Sequence, residues 1–400
     1  MLALAACVPA WQRPPEWRER SEAHLHVVPC REPLALPGVP RVFVLGGTRE
    51  VQLRLASLVT VPGGEALVVA KDEGASGAVE ASWWSSTGVC RWRALLPGGR
   101  VPFAAPSDGG RAWLALGEGE DRVVTEVDAN GDEGRAAWLP PFPDALATSS
   151  GRLFAVTHQA VPPFEHALWR LDPEPVKLGT LPPGRASSEG WEVALAPGDA
   201  GFAALQFARA GLAEGDVTLT VLAPDGRALA QAKLADAPVE WAALAVAPGG
   251  GWVVALASDA ARAFDILRLD AGARVTWRRR IPGGTAVSLG LSELHAEGEA
   301  VTFLAWRKDA DRQWLPSRVT LASPGTPASP VTEVALDALT PGAAWLAGTL
   351  STRALVAGQR VEVDAWTEAI EAGCNADAEC WPARVEERRS SAIYLLPPKR

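Results

Sequence analysis

Long apolar runs and basic clusters are both missing from this chain of 400 residues. No stretch reaches the roughly 18 consecutive apolar residues that a membrane-spanning helix requires. Acidic residues number 47 against 38 lysines and arginines, which leaves a net charge of −9. The longest basic run is "WRRR" at 277–280, which we interpret as a solvated strand end. The composition therefore argues against a nucleic-acid partner.

Motifs that hold cofactors or metals are also absent from the sequence. It contains no GxGxxG, P-loop, HExxH or repeated Asp-box motif, and no CxxC or metal-spaced Cys/His set. Two segments, "ASSEG" at 186–190 and "AVSLG" at 286–290, resemble serine nucleophile elbows. Neither lies in the strand-to-helix context that the elbow requires. We therefore expect no cofactor, no metal and no catalytic residue that belongs to a known motif.

Turn-forming and apolar residues are abundant instead. The chain has 38 glycines and 33 prolines, and 48% of its residues are hydrophobic. Its 17 tryptophans are spread along the whole length, which is typical of repeated packing positions and not of one aromatic binding strip. This composition predicts a folded, turn-rich protein with a sizeable core.

One phrase, a tight turn followed by an apolar strand, recurs seven times at steps of 41 to 50 residues. The copies are "PGGEALVVA" (62–70), "DGGRAWLAL" (108–116), "SSGRLFAVT" (149–157), "GDAGFAALQF" (198–207), "PGGGWVVALAS" (248–258), "AEGEAVTFLAW" (296–306) and "PGAAWLAGTL" (341–350). Most copies are followed by two further strands joined by an Asp/Gly turn, as in "VTLTVLAPDGRALAQAKL" (217–234).

Four strands in about 40 to 50 residues are typical of one blade of a β-propeller. The glycine-led strand is apolar on both faces, as a strand between neighbouring blades must be. Outer strands such as "ARVTWRRRI" (273–281) alternate and carry charge. The sequence therefore predicts an all-β, seven-bladed β-propeller of four-stranded antiparallel blades, with six or eight blades as alternatives.

The predicted domain organisation has three parts. Residues 1–7 form a truncated signal-like segment, 8–40 a Pro-rich tether, and 41–400 the propeller with an irregular last blade. Closure of the ring requires the last blade to borrow a strand, since two sheet edges otherwise stay open. Either "RVFVLG" (41–46) or "SAIYLLP" (391–397) is a candidate for that strand.

The segment Leu4-Ala5-Ala6-Cys7 resembles the lipobox of bacterial lipoproteins. Together with the blade periodicity it is similar to bacterial lipoprotein-type β-propellers, including the barrel-assembly type, although no motif ties it to one family. The resemblance implies a lipid on Cys7 as the only membrane contact, and retention at the outer membrane because Val8 is not acidic. If the match is accidental, we expect a cytoplasmic protein.

Four cysteines remain beside Cys7, and an even number in an exported chain suggests disulfides. Cys374 and Cys380 bracket "NADAE" and would close a small loop near the closure seam. Cys30 and Cys90 would then join the tether to the first repeat. Four free thiols in a cytosolic protein are the alternative.

Propellers bind ligands at the ends of their central channel, on the face formed by the loops that follow each second strand. These loops are charged here and differ from one another. We interpret the two histidines among them as solvent-exposed. The candidate binding face comprises Lys71, Asp72, His158, His166, Asp259, Arg307, Asp309 and Asp311. A weak candidate cation site is Asn375, Asp377 and Glu379, which equally suit a solvated acidic loop.

Three functional hypotheses remain at the level of sequence. The first is a monomeric, lipid-anchored binding or scaffold module for protein or glycan partners in the cell envelope. The second is a propeller enzyme, of the glycan lyase, hydrolase or quinoprotein type, with its site at the channel mouth. The third is an intracellular scaffold. Three titratable side chains within about 4 Å of one point at the mouth would favour catalysis.

Overall fold

The structure is a computed structural model. It describes residues 25–28, 30, 42–44, 53–61, 65–72, 79–85, 89–96, 104–116, 123–140, 143–149, 151–158, 165–181, 191–198, 201–210, 215–308, 314–322, 330–335, 349–355, 360–370, 373–374, 380–381 and 384–395. Nearly all of them lie in antiparallel β-strands, and Asp108–Gly110 forms a 3₁₀ turn. This part of the chain contains no helix with the length and apolar character needed to cross a bilayer.

The first sheet is built from residues up to 96. The strands of this region are β1 (His26–Val28), β2 (Val42–Val44), β3 (Leu53–Val61), β4 (Glu65–Asp72), β5 (Val79–Trp84) and β6 (Cys90–Leu96). The sheet has the order β1-β6-β5-β4-β3, so β1 is an additional fifth strand at the outer edge. It lies within the segment that the sequence predicts to be a tether.

Five sheets of four consecutive strands follow. Their strands are β7 (Ala104–Pro106), β8 (Ala112–Leu116), β9 (Val123–Val127), β10 (Glu133–Trp138); β11 (Pro143–Ser149), β12 (Arg152–His158), β13 (His166–Arg170), β14 (Val176–Thr180); β15 (Trp191–Gly198), β16 (Gly201–Ala208), β17 (Val217–Leu222), β18 (Ala228–Ala235); β19 (Trp241–Val246), β20 (Trp252–Ser258), β21 (Ala263–Leu269), β22 (Val275–Pro282); and β23 (Ser288–Glu297), β24 (Ala300–Lys308), β25 (Trp314–Leu321), β26 (Val331–Ala335). Within each sheet the strands pair in chain order.

The last sheet combines the two ends of the chain. Its strands are β27 (Thr349–Leu355), β28 (Arg360–Ile370), β31 (Arg384–Leu395) and the early strand β2, in the order β2-β31-β28-β27. A two-stranded ribbon, β29 (Gly373–Cys374) and β30 (Cys380–Trp381), lies between β28 and β31 in the chain. The two predicted closing segments therefore pair with each other, with Val42 opposite Tyr394.

Successive sheets pack through their first strands. β3 contacts β7, β7 contacts β11, and the series continues through β15, β19 and β23 to β27. β3 also contacts β31 of the last sheet. Serial four-stranded antiparallel sheets packed in this way form a β-propeller, which confirms the predicted fold class. Seven sheets of four or more strands occur in the described part of the chain, and a complete seven-bladed ring stays a prediction.

Burial falls from the second strand outward, as the sequence pattern predicts. Every residue of β8 and β16 is buried, whereas β14 has no buried residue. The hydrophobic cores lie between neighbouring sheets; one of them joins β16 and β17 to β20 and β21. The first strand β19 is half-buried along its whole length, which is consistent with a first strand that faces the channel.

The glycine turn that opens each second strand has a clear physical basis at 247–251. Gly249, Gly250 and Gly251 all have positive φ, a backbone conformation that residues with a Cβ rarely adopt. A Cβ on Gly251 would also collide with the carbonyl oxygen of Leu269. The seventh phrase differs, because its last two residues begin β27, an edge strand and not a second strand. Its other residues lie outside the described part.

A disulfide joins Cys30 to Cys90, which confirms one predicted bridge. It fastens the chain just after β1 to the start of β6, and the backbone N–H of Leu25 donates to Glu133 Oε1 at 2.6 Å. The N-terminal strand is therefore tied to both of the first two sheets.

Candidate functional site

The first strands begin, and the second strands end, at the same end of the sheets, because first strands pack side by side in the same direction. We call this end the mouth face. It is the face on which the sequence places the candidate binding residues. The turns with positive-φ glycines, such as 247–251, lie at the opposite end.

A carboxylate and an imidazole meet at the mouth face of the third sheet. His158, the last residue of β12, has its Nδ1 2.7 Å from Oδ1 of Asp144 on β11. The β11–β12 register shifts between Pro143 and Ala145, so Asp144 occupies a bulge. Bulges commonly redirect a side chain, and this one brings Asp144 to the histidine.

A second histidine, which is buried, lies on the neighbouring strand. His166 begins β13 and is the register partner of His158. Its Nε2 lies 3.6 Å from Oδ2 of Asp144, and its Nδ1 lies 3.2 Å from the amide nitrogen of Gln206, which belongs to the next sheet. The side chain of His166 is only 4% exposed, so the prediction of two solvent-exposed histidines is wrong for this residue. Packing of the neighbouring sheet covers it.

The two imidazoles have pKa values shifted in opposite directions. The hydrogen bond with Asp144 raises the pKa of His158 above 6.5, against the opposing effect of burial. Burial lowers the pKa of His166 below 6.5, and the Asp144 charge offsets this only in part. A neutral His166 that accepts from Gln206 at Nδ1 carries its proton on Nε2, which faces Asp144.

Aromatic and charged side chains occupy the next junction between sheets. The guanidinium of Arg209, which follows β16, lies 4.8 Å from the ring centroid of Trp241 at the start of β19. Its Nη1 is 3.1 Å from Oε1 of Glu192 on β15. Trp241 is half-buried and its ring lies 6.2 Å from that of Trp306 on β24. The arrangement offers an apolar ring beside a donor and an acceptor.

Acidic groups follow on the same face. Asp259, after β20, donates its backbone N–H to Glu240 Oε2 at 2.7 Å, and its own Oδ1 accepts from the N–H of Leu289 at 2.6 Å. Burial raises the pKa of Glu240, and the nearby Asp259 charge adds to this. These contacts connect three strand ends of two neighbouring sheets.

Among the other predicted residues, Arg307 lies on β24 and serves an internal role. Its guanidinium packs 5.1 Å from the ring centroid of Phe264 and contacts the carboxylate of Glu333. It is 17% exposed, so it contributes less to the surface than the sequence suggests.

Lys71 and Asp72, which the sequence places in the loop after the second strand, are the last two residues of β4. Cys7, Asp309, Asp311 and the acidic loop residues Asn375, Asp377 and Glu379 lie outside the described residues. Cys374 and Cys380 are register partners in the β29–β30 ribbon, and a bridge between them stays a prediction. Within the described part of the chain, no group of three His, Cys, Asp or Glu residues could hold a metal ion.

The sequence missed Asp144, Gln206, Glu192, Arg209 and Trp241. One signal was available: "GWEVALAPG" (190–198) and "EWAALAVAPG" (240–249) both place a Trp/Glu pair where a first strand begins. No local pattern marks Asp144 or Gln206, because strand pairing and sheet packing bring them to the histidines.

These observations define an all-β protein of the β-propeller class with a polar and aromatic mouth face. No protein-family model matches the chain, and no curated protein matches it.

The chain is similar in structure to several solved propeller-containing proteins. Puromycin hydrolase is 15% identical, with 84% of this chain and 51% of that one covered and a TM-score of 0.47. Prolyl oligopeptidase B from Galerina marginata is 9% identical, with 84% and 51% covered and a TM-score of 0.46. Semaphorin 1a from Drosophila, extracellular domains 1-2, is 8% identical, with 88% and 87% covered and a TM-score of 0.47. The chain thus spans about half the length of the two enzymes, and the likeness concerns the fold alone.

Proposed function

We propose that this protein is a binding module of the bacterial cell envelope, tethered through a lipid on Cys7, that binds a glycan at its mouth face. The observation that carries the proposal is the cluster of Arg209, Glu192 and Trp241. The lipobox-like segment ending at Cys7 supports the location.

A sugar ring combines an apolar C–H face with a rim of hydroxyl groups. Trp241 presents a partly exposed aromatic surface that can contact the apolar face. Arg209 supplies N–H donors and Glu192 supplies carboxylate acceptors, and hydrogen bonds to charged groups are stronger than neutral ones. A few placed polar groups around an aromatic surface are the usual composition of a small-ligand site.

A glycan suits this cluster better than a protein partner does. The core of a protein interface is more apolar than the rest of the protein surface. Of the large apolar side chains that are exposed in the described residues, Val287 and Leu95 lie toward the mouth end, and they belong to different sheets. The others are Val27, Val89, Val176, Leu229 and Val275. Trp241 is instead half-buried at a junction between sheets, beside Arg209.

The binding test uses isothermal titration calorimetry with two probes, a panel of neutral hexasaccharides and the muropeptides released from peptidoglycan by muramidase. We expect at least one probe to bind, and Trp241→Ala to weaken its affinity at least about 10-fold, the equivalent of roughly 1.4 kcal/mol. Trp277→Ala is the matched control, since Trp277 is a half-buried tryptophan on the outer strand β22. The proposal fails if no probe binds, or if both variants bind like the wild type.

The anchor is tested separately by mass spectrometry of the envelope fraction for lipid on Cys7. Expression of the full gene as Cys7→Ser should release the protein from the membrane fraction. Unmodified Cys7 in membrane-free protein would leave the glycan proposal standing and reject the envelope location.

One observation favours the enzyme alternative as well. Asp144, His158 and His166 are three titratable groups gathered about one carboxylate, which meets the criterion stated for catalysis.

A further inference from the structure

We propose that His158 is a general base and acid that hydrolyses a carboxylic ester at the mouth face, with Asp144, His166 and Gln206 as its positioning residues. This inference does not depend on the glycan proposal, because it concerns a different junction between sheets and a different ligand chemistry.

The contact with Asp144 determines the tautomer of His158. Its Nδ1 lies 2.7 Å from the Asp144 carboxylate, which can only accept a hydrogen bond when ionised. Nδ1 therefore carries the proton, and in the neutral ring Nε2 has the lone pair that a base requires. An aspartate that holds a histidine in this tautomer is a recurring feature of hydrolytic sites.

Buried groups of two sheets lie behind Asp144. Its Oδ2 faces Nε2 of His166 at 3.6 Å and is buried without a hydrogen bond among the described residues. His166 is in turn oriented by Gln206, which is 1% exposed. The contacts from Gln206 through His166 and Asp144 to His158 cross two sheets, and the buried His166 packs behind Asp144 without a hydrogen bond to it.

Solvent exposure decreases from His158 through Asp144 to His166. The side chain of His158 is 38% exposed, that of Asp144 18%, and that of His166 4%. His158 is therefore the most exposed member of this group at the mouth face. The opposite pKa shifts of the two histidines agree with a titratable outer ring and a neutral inner ring.

The composition of the cluster indicates the class of reaction. Glycosidic-bond hydrolysis ordinarily uses two carboxylates on opposite sides of the bond, and this cluster has one. In ester hydrolysis one group can take a proton from the attacking water and later give it to the leaving alcohol, and one histidine can do both. A carboxylic ester is therefore the substrate class that the cluster fits.

The proton movements balance. Nε2 of His158 takes a proton from water while the water oxygen forms a bond to the ester carbonyl carbon. The tetrahedral intermediate then breaks its bond to the alcohol oxygen, which takes the proton back from Nε2. The products are a carboxylic acid and an alcohol, and no other reactant is consumed.

The test follows p-nitrophenyl acetate hydrolysis by the full chain across pH. We expect the wild type to exceed the uncatalysed rate by about 10² to 10⁴-fold, the range typical of general acid–base catalysis. His158→Gln should abolish the gain, and added imidazole should partly restore it in His158→Ala. His295→Gln is the control, since His295 lies on β23 away from the cluster.

The positioning role of Asp144 has its own readout. Asp144→Asn should lower kcat with little change in KM, shift the pH midpoint of the rate downward, and change the ¹⁵N shifts of His158 away from the Nδ1–H tautomer. A merely structural aspartate would leave the tautomer unchanged in the folded protein.

A measurement on the wild type keeps the proposal testable if variants fold poorly. Treatment with diethyl pyrocarbonate should inactivate the enzyme in parallel with modification of His158, as followed by peptide mass spectrometry. The proposal is overturned if wild-type and His158→Gln rates are equal, or if modified His158 leaves the rate unchanged.

Discussion

His158 and His166 are direct register partners on adjacent strands, and both contact the carboxylate of Asp144. The two contacts differ in geometry. The outer ring makes the short hydrogen bond to Asp144 and the inner ring is buried against Gln206. Their pKa values consequently move in opposite directions from 6.5. Several measurable consequences arise from this pair and from the other contacts between sheets.

The two histidines should titrate separately. By NMR, the midpoint of His158 is expected above 6.5 and that of His166 below it. Asp144→Asn should lower both midpoints, because the carboxylate charge favours the protonated form of each ring. Coincident midpoints near 6.5 in the wild type would contradict the described cluster.

The same shifts predict opposite effects on stability. His158 has a raised folded-state pKa, so its contribution is present below 6.5 and is lost as pH rises through the folded pKa. His166 has a lowered pKa, so stability is lost as pH falls below 6.5 toward its folded pKa. Thermal melts at about pH 5 and pH 8 should show that His166→Gln gains relative stability in acid and His158→Gln loses it. Identical pH dependence in both variants would refute the assignment.

An ion-pair network between the second and third sheets should matter more than an exposed one. Glu126 is buried and accepts from Arg135 at 2.6 Å, and Arg135 also contacts Asp172 at 2.7 Å. Arg135→Ala leaves that carboxylate without its main partner, at a cost of about 2 to 3 kcal/mol in the free energy of unfolding. Urea denaturation measures this, and Lys233→Ala, which breaks a solvent-exposed pair, should cause no measurable change.

The pH dependence of this network has a defined sign. Burial by itself raises the pKa of Glu126, but hydrogen bonds from Arg135 and Ser107 outweigh it, and the pKa lies below 4.5. The stability contributed by Glu126 is therefore present above 4.5 and is lost as pH falls through its folded pKa. Arg135→Ala should flatten that acid limb of the stability curve.

The glycine turns can be tested with a matched pair. Gly251→Ala combines a positive φ with a collision against Leu269, and should cost more than about 1 to 3 kcal/mol, the usual penalty of strain alone. Gly249→Ala has a positive φ of 76° and open space around it, so it bears the strain alone. Equal destabilisation of the two variants in urea would show that packing at Gly251 is unimportant.

The bridge between Cys30 and Cys90 closes a separation of 60 residues. In the chain-entropy estimate, a loop of this size stabilises the folded state by about 4 kcal/mol. Cys30→Ser with Cys90→Ser should lower the free energy of unfolding by up to that amount, and added reductant should have the same effect on the wild type. Reductant that leaves the wild type unchanged would contradict the bridge.

The repeat unit and the fold class could be predicted from sequence because both depend on local periodicity. Second strands such as Trp252–Ser258 are apolar on both faces, and their leading glycines need positive φ, so each unit carries its own signal. The pairing of Cys30 with Cys90 was also predictable, since few cysteines were available.

The site was predictable only in part. The sequence placed His158 and Asp259 after second strands, and the structure has both there, at the mouth face. It treated His166 as exposed, because no local pattern records that the next sheet covers it.

By itself, the sequence determined the repeating unit, a glycine turn followed by an apolar second strand, in the first six copies of the phrase. Only the tertiary structure decided which polar side chains meet, as Asp144, His166 and Gln206 do. Strand periodicity is a property of neighbouring residues in the chain. A contact between sheets depends on register, bulges and packing across 40 residues or more of sequence, as between His166 and Gln206.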